Sequence, residues 1–215
     1  MNRGNDSMKV LLVNGSSRPE GCTYTALNEI ADTLHKEDIE TEILFLGNEP
    51  VRDCVGCKAC VKLGGRCVYD NDIVNRLIER AKTADGFIFG SPVYYAHPSG
   101  RILSVLDRAF YAGKAAFEHK PGAAIVSARR GGTTASFDVL NKYFTIAQMP
   151  VVSSSYWNMV HGSLPSDVLR DEEGLQTMRN IALNMSWLLK CIAAGQEKGI
   201  SIPATENSYK TNFVR

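Results

Sequence analysis

The chain has 215 residues, a length that suits one domain with a substantial buried core. Its 24 Lys and Arg residues nearly balance 23 Asp and Glu residues, so it lacks the basic surface expected of a protein that binds nucleic acid or an anionic membrane. No run approaches the roughly 20 consecutive apolar residues that a membrane span requires. We therefore expect no nucleic-acid partner and no membrane attachment.

Short apolar runs alternate with amphipathic segments along the chain. Runs rich in branched and aromatic residues predict five buried strands, at 9–14, 42–46, 86–90, 122–126 and 151–156. Apolar residues at helical spacing predict five helices, at 23–36, 72–82, 100–111, about 134–148 and about 172–197. Asn71 is the expected cap of the second helix.

This alternation implies right-handed βαβ units and a parallel sheet covered on both faces. We predict an α/β fold with the flavodoxin-like arrangement: a doubly wound, five-stranded parallel sheet in the order 2-1-3-4-5 within three α/β/α layers. Residues 9–203 would form this domain, with a cysteine-rich loop at 51–70 inserted after the second strand. Residues 1–8 are expected to be a disordered leader and 204–215 a mobile tail. The polar start lacks the apolar core of a signal peptide, and the clustered cysteines favour a reducing cytoplasm.

The turn after the first strand has the composition of a phosphate site. Gly15 and Gly21 allow the backbone to turn sharply, and hydroxyls accompany a single cation, Arg18. The helix that follows presents free N–H groups and the positive end of its dipole. One cation suits a monophosphate better than a pyrophosphate, and neither common nucleotide-binding glycine motif is present. The alternative is an ordinary polar turn that caps a helix.

Two further loops follow strands at the same predicted sheet edge. The loop after the third strand carries Tyr94 and Tyr95, whose rings offer a flat surface for stacking. The loop after the fourth strand carries Arg129 and Arg130 beside two glycines, whose backbone amides are available to a polar ring edge. The alternative for the tyrosines is packing beneath a loop, and the alternative for the arginines is simple exposure to solvent.

Four of the six cysteines lie close together, at Cys54, Cys57, Cys60 and Cys67. Thiols spaced C-x2-C-x2-C-x6-C cannot all pair as disulfides without strain in so short a loop. Four thiolates are ligands of iron–sulfur clusters and of structural zinc, but zinc sites usually draw two ligand pairs from separated turns. A cluster, zinc and reduced thiols remain open on this reasoning. Cys191 is expected to be a small buried apolar residue of the last helix.

The chain resembles the NADPH-dependent FMN reductase branch of the flavodoxin-like superfamily over about residues 9–162. The resemblance is carried by Gly15-Ser-Ser-Arg18 with Thr23, by Gly90-Ser-Pro-Val-Tyr-Tyr95 with Ser99-Gly100, and by Leu106-Asp-Arg108. The cysteine block is similar to that of iron–sulfur flavoproteins, in which a [4Fe–4S] cluster passes electrons to FMN. Cys22 departs from this family, which often has Asn or Ser at that position.

The resemblance implies which residues bind each cofactor. Those expected at the FMN phosphate are Ser16, Arg18, Cys22, Thr23 and Tyr24. Those expected along the flavin ring are Pro92, Val93, Tyr94 and Tyr95, with Ser127, Arg129, Gly131 and Gly132 nearby. The expected cluster ligands are Cys54, Cys57, Cys60 and Cys67.

The expected function is an FMN-dependent oxidoreductase that uses NAD(P)H to reduce a flavin, a quinone or another electron-poor compound. The chemistry would belong to the flavin, so no catalytic side chain is assigned. One alternative is an electron carrier that exchanges electrons with a ferredoxin-like protein. Another is a flavodoxin-like regulatory module with redox-sensing cysteines. The resemblance also implies a homodimer or homotetramer, with residues 157–162 either at the flavin pocket or interface, or in a packed loop.

Overall fold

The computed structural model describes residues 7–211 and 213. Residues 1–6 of the expected leader, and residues 212, 214 and 215 of the expected tail, lie outside the described residues. Met8 packs against the core, and its carbonyl accepts a hydrogen bond of 2.8 Å from the Glu40 N–H. Residues 201–211 are exposed and form neither helix nor strand. The disorder of the leader and the mobility of the tail stay predictions.

Strands and helices alternate along the described chain. The strands are β1 (Lys9–Asn14), β2 (Glu40–Phe45), β3 (Gly86–Tyr94), β4 (His97–Pro98), β5 (Gly122–Ala128) and β6 (Met159–His161). The helices are α1 (Cys22–Lys36), α2 (Ile73–Thr83), α3 (Gly100–Gly113), α4 (Thr133–Ile146), α5 (Pro165–Val168) and α6 (Glu172–Glu197). In the residues described, no helix is long and apolar enough to cross a membrane.

The main sheet is parallel throughout, in the order β2-β1-β3-β5-β6. The two-residue β4 lies off this path and pairs antiparallel with the end of β3. With β4 set aside, the five main strands have the expected order 2-1-3-4-5, which confirms the predicted fold class.

The position of the fifth strand was predicted wrongly. The expected strand 151–156 contributes only an isolated bridge from Val151 to Gly122, and the fifth strand is β6 instead. After Val152 the chain turns towards α6, because the Ser154 hydroxyl donates to the Thr177 carbonyl at 2.7 Å. The backbone therefore leaves the sheet and rejoins it only at Met159.

Helix α2 begins one residue later than expected, and its cap is Asp72 rather than Asn71. The Asp72 backbone is extended, and its side chain accepts a hydrogen bond of 3.1 Å from the Val74 N–H. This bond satisfies one of the N–H groups that the first turn of a helix leaves unpaired.

Alternate residues of β1 pack into two separate cores, as the pleat of a strand requires. Leu11 and Val13 face the core formed with α2, α3 and α4. Val10 and Leu12 face the core formed with α1 and α6. All four side chains are fully buried, so helices cover both faces of the sheet.

A group of phenylalanines fills the first of these cores. The Phe89 ring stacks on Phe144 with the centroids 5.1 Å apart, and Phe110 stacks on Phe117 at 4.4 Å. Phe144 is fully buried and belongs to α4, so its ring fixes α4 against the sheet.

We predict that Phe144→Ala lowers the free energy of unfolding by about 3–5 kcal/mol, since it removes a buried ring and leaves a cavity. Ile146→Ala is the matched control, because Ile146 ends the same helix with 72% of its surface exposed. Its effect should stay within about 0.5 kcal/mol. Denaturant unfolding of the cofactor-free proteins measures both values, and equal losses in the two variants would contradict this packing.

Candidate functional site

The first turn, residues 15–21, is shaped by its own side chains. The Asn14 amide donates to the Pro19 carbonyl at 3.0 Å, and its oxygen accepts from the Ser16 N–H at 3.0 Å. The Ser16 hydroxyl accepts from the Arg18 N–H at 3.0 Å. Ser16 is buried, whereas Arg18 is exposed. These hydrogen bonds therefore fix the backbone of the turn, and its only cation, Arg18, faces the solvent.

Gly15 is required by the close approach of three parts of the fold. A Cβ atom at this position would lie 2.8 Å from the Ile102 Cβ atom and 3.0 Å from the Gly90 carbonyl oxygen. The Gly15 N–H donates to that same carbonyl at 2.8 Å, and the Gly15 carbonyl accepts from the Ser99 hydroxyl at 2.7 Å. The first turn is thus attached to β3 and to the start of α3.

Helix α1 begins at Cys22 without a side-chain cap, because its N-cap residue is Gly21. In the described residues, no side chain therefore accepts from the N–H groups of its first turn. Such an uncapped start is an anion-binding arrangement, in which the N–H groups and the dipole favour a negative charge.

Thr23 and Cys22 connect this helix start to two other loops. The buried hydroxyls of Thr23 and Ser127 lie 2.8 Å apart, and either can be the donor. The Cys22 thiol donates to the Gly162 carbonyl at 3.6 Å, and burial raises the pKa of this thiol. Cys22 is thus a neutral thiol held against Gly162, the last residue of the segment 157–162. Tyr24, which follows Thr23 in the helix, is partly buried.

The tyrosine hairpin, residues 92–98, extends from the end of β3. Tyr95 and Ala96 form its tip with φ values of +52° and +57°, a left-handed conformation that is rare for residues with a side chain. Tyr95 is fully exposed and Tyr94 about half exposed, whereas Pro92 and Val93 are partly buried. The Tyr94 hydroxyl lies 3.3 Å from the Ser17 hydroxyl, so the hairpin bends over the first turn.

The arginine loop, residues 129–132, supports the hairpin from the other side. Gly132 has a φ of +93°, and a Cβ atom there would lie 2.5 Å from the Ala96 Cα atom. Arg129, Arg130 and Gly131 are exposed at the same edge of the sheet. This contact holds the hairpin tip in its unusual conformation.

Residues 157–162 lie beside these loops and are only partly packed. The rings of Tyr156 and Trp157 are 5.1 Å apart, and both are about half exposed. Gly162 fits closely against α5, since a Cβ atom would lie 2.9 Å from the Val168 nitrogen. Within this segment Asn158 and Val160 are buried, whereas Trp157 and His161 are exposed.

The loops meet at one sheet edge and fit a ligand with an anionic group and a flat ring. An uncapped helix start, exposed Arg18 and the hydroxyls of Ser17 and Thr23 suit the anion. The half-exposed ring of Tyr94 provides apolar surface at the same edge. The expected FMN residues are therefore brought together in the fold.

The cysteine loop, residues 51–70, contains one short 3₁₀ turn at Ala59–Lys62 and otherwise irregular backbone. All of its cysteines are free thiols and line one open recess, together with Tyr69, Arg108 and Tyr111 among others. Cys54 and Cys57 are exposed, whereas Cys60 and Cys67 are partly buried. The fold thus directs the four cysteines to a common recess.

Arg108 is almost completely buried beneath this loop and pairs with Asp72. Burial lowers the pKa of the guanidinium, but the hydrogen bonds to Asp72 and Cys67 outweigh it and raise the pKa. The ion-pair partner of Arg108 is thus Asp72 and not its neighbour Asp107. Asp107 instead accepts a hydrogen bond of 2.5 Å from the Tyr143 hydroxyl, and that bond and burial raise the pKa of Tyr143.

Sequence reasoning did not assign a role at the cysteine loop to Arg108, Asp72 or Asn75. The available signal was an arginine within the apolar face of α3, between Val105 and Ala109, which are both fully buried. A buried arginine needs a partner, and its partner here is distant along the sequence. Cys191 was also predicted wrongly: it is exposed on α6 rather than buried.

The donor chemistry of the recess fits an iron–sulfur cluster. It offers four thiols, and the Cys67 sulfur already accepts a hydrogen bond of 3.3 Å from Arg108 Nε. In residues 7–211 and 213, no three His, Cys, Asp or Glu side chains are grouped around a single ion position. A zinc ion gathers its ligands around one point, whereas in a four-iron cluster each thiolate binds a separate iron. The spread of the thiols is therefore compatible with a cluster.

Comparison with known proteins supports this interpretation of the site. The family model described as NADPH-dependent FMN reductase matches residues 8–163. An iron–sulfur flavoprotein of Methanocaldococcus jannaschii is 32% identical over 194 residues, which cover 86% of this chain and 99% of that protein. An NADPH azoreductase of Bacillus sp. (strain OY1-2) is 30% identical over 138 residues, covering 62% of this chain and 65% of that protein. A flavodoxin from the domain Archaea has the same fold, with a TM-score of 0.58 at 14% identity over 85% of this chain and 99% of that one.

Proposed function

Because the chain belongs to the NADPH-dependent FMN reductase family, and within it to the iron–sulfur flavoproteins, we propose that this FMN-binding oxidoreductase uses NAD(P)H and carries a [4Fe–4S] cluster. The electron acceptor would be a flavin, a quinone or a similar electron-poor compound. The observation that carries the proposal is the meeting of the first turn, the tyrosine hairpin and the arginine loop at one sheet edge.

The first turn would hold the FMN phosphate. Thr23 can donate its hydroxyl proton to a phosphate oxygen while it accepts from Ser127, and the N–H groups of the helix start lie beside it. Ser16 would support the turn from within, and Arg18 would supply the charge. These contacts position the cofactor and stabilise its negative charge at a point where the fold is rigid.

The tyrosine hairpin and arginine loop would border the flavin ring, whose N5 atom accepts a hydride from a nicotinamide when FMN is bound. Tyr94 would exclude water from one side of the ring, and Arg129 would offset the negative charge of a reduced flavin. The NADPH azoreductase among the relatives supports NADPH as the donor. The exposed Tyr95 and Trp157 support a homodimer or homotetramer in which a second copy completes the pocket.

The cysteine loop would hold the cluster through Cys54, Cys57, Cys60 and Cys67. A cluster bound there would supply single electrons to the flavin. The common recess and the bond from Arg108 to Cys67 support this assignment, as do the iron–sulfur flavoproteins among the relatives.

Thr23→Val is predicted to weaken FMN binding by about 10- to 100-fold, because a hydrogen bond to a charged group contributes about 1.5–3 kcal/mol. Thr33→Val is the matched control: Thr33 is also a buried threonine of α1, but its hydroxyl donates to the Glu29 carbonyl, away from the first turn. Titration of cofactor-free protein with FMN, followed by flavin fluorescence, measures both affinities. An unchanged affinity for Thr23→Val would contradict a phosphate site at this helix start.

An electron carrier is the second candidate, and the charge of the cysteine loop favours it. Arg52, Lys58 and Lys62 are exposed in the cysteine loop and would attract an acidic, ferredoxin-like protein. Turnover separates the two functions. We expect the holoprotein to oxidise NADPH steadily with a quinone or ferricyanide as acceptor. Flavin that is reduced by a ferredoxin but never by NADPH would instead establish the carrier.

A further inference from the structure

Arg108 directs all of its described hydrogen bonds towards the cysteine loop and its end. Nε donates to the Cys67 sulfur at 3.3 Å, Nη1 donates to the Arg52 carbonyl at 3.0 Å and to Asp72, and Nη2 donates to the Tyr69 carbonyl at 2.9 Å. Its side chain is 1% exposed. An ion pair with Asp72 alone would not require the other bonds, so this arginine joins the start of the loop at residue 52 to its end at residues 67–69.

Cys67 is the most firmly held of the four cysteines. Its N–H donates to the Asn75 side-chain oxygen at 2.8 Å, and its carbonyl accepts from the Asn75 amide at 3.0 Å. Asn75 is buried, and the sulfur itself accepts from Arg108. By contrast, Cys54 and Cys57 are exposed on irregular backbone. The backbone and the sulfur of Cys67 are thus both oriented by buried side chains.

We propose that Arg108 is a positioning residue for Cys67 and that its Nε–H···S bond raises the reduction potential of the cluster in the cysteine loop. The inference rests on the proposed function of that loop. An N–H directed at a thiolate ligand stabilises the state that holds one more electron, because that state places more negative charge on the sulfur. The electron comes from the reductant, and no bond to Arg108 is made or broken.

The rise in reduction potential would come from the hydrogen bond and not from the charge of Arg108, since the net charge at this position is close to zero. The Asp72 carboxylate is buried against the guanidinium and compensates its charge. Arg52 is an exposed cation of the cysteine loop, and its guanidinium lies 4.6 Å from the centre of the Tyr69 ring. Removal of Arg52 therefore changes the charge near the loop without removing the N–H group that bonds the sulfur.

The decisive variant is Asp72→Asn with Arg108→Met, which removes the N–H donor and leaves no unpaired carboxylate in the interior. Asp72→Asn alone keeps Arg108, and asparagine is an equally good helix cap. Arg52→Gln is the matched control for charge. Each holoprotein is loaded with iron and sulfide under anaerobic conditions. The midpoint potential of the one-electron couple is then measured, together with the rate at which a chelator removes iron.

We expect the double variant to have a more negative potential than the wild type and to retain iron about 10- to 100-fold less well, as for other residues that orient metal ligands. Asp72→Asn should not lower the potential, and Arg52→Gln should lower it by less than the double variant because solvent and salt screen its charge. Arg108→Lys is the substitute if the double variant fails to fold. It keeps the ion pair with Asp72 but removes the Nε–H group that bonds the Cys67 sulfur, so it should shift the potential in the same direction.

A double variant with the wild-type potential and wild-type iron retention would overturn the role of Arg108 and leave the proposed function intact. The same holds for a shift that Arg52→Gln reproduces in full. A wild-type protein that takes up no iron and sulfide would overturn the cluster itself, and with it this inference.

Discussion

The parallel direction of the strands is the constraint on which the site depends. Asn14 at the end of β1 is level with Gly90 in β3, and Gly90 is level with Ile125 in β5. The loops after these three strands therefore leave the same edge of the sheet, although they are far apart in the sequence. The hydroxyl contact between Thr23 and Ser127 and the contact between Gly132 and Ala96 then join the loops to each other.

Helix α3 connects this edge to the cysteine loop. Its cap, Ser99, donates to the Gly15 carbonyl in the first turn, and Arg108 of the same helix donates to Cys67. The nine residue steps from Ser99 to Arg108 correspond to about 14 Å along a helix axis. One rigid element thus fixes the position of the first turn relative to the cysteine loop, as the proposed electron transfer between a cluster and FMN would require.

Local patterns predicted much of this arrangement. The buried strands β1, β3 and β5, the polar turn after β1 and the cysteine block follow from short runs of sequence, because branched apolar runs, glycines and cysteine spacing act locally. The features that were missed depend on distant partners. Residues 153–154 leave the sheet because α6 binds them, and Arg108 is buried because Asp72, 36 residues away, compensates its charge. Cys191 looked buried on helical periodicity alone, but no element covers that side of α6 among the described residues.

One chain is proposed to hold both FMN and a four-iron cluster. The most direct measurement is the content of FMN, iron and acid-labile sulfide per chain after anaerobic purification, with Cys60→Ser and the exposed Cys191→Ser as paired variants. We expect one FMN and about four irons in the wild type and in Cys191→Ser, and FMN with loss of the intact cluster in Cys60→Ser. A wild-type protein without FMN, or with iron that Cys60→Ser retains in full, would contradict it.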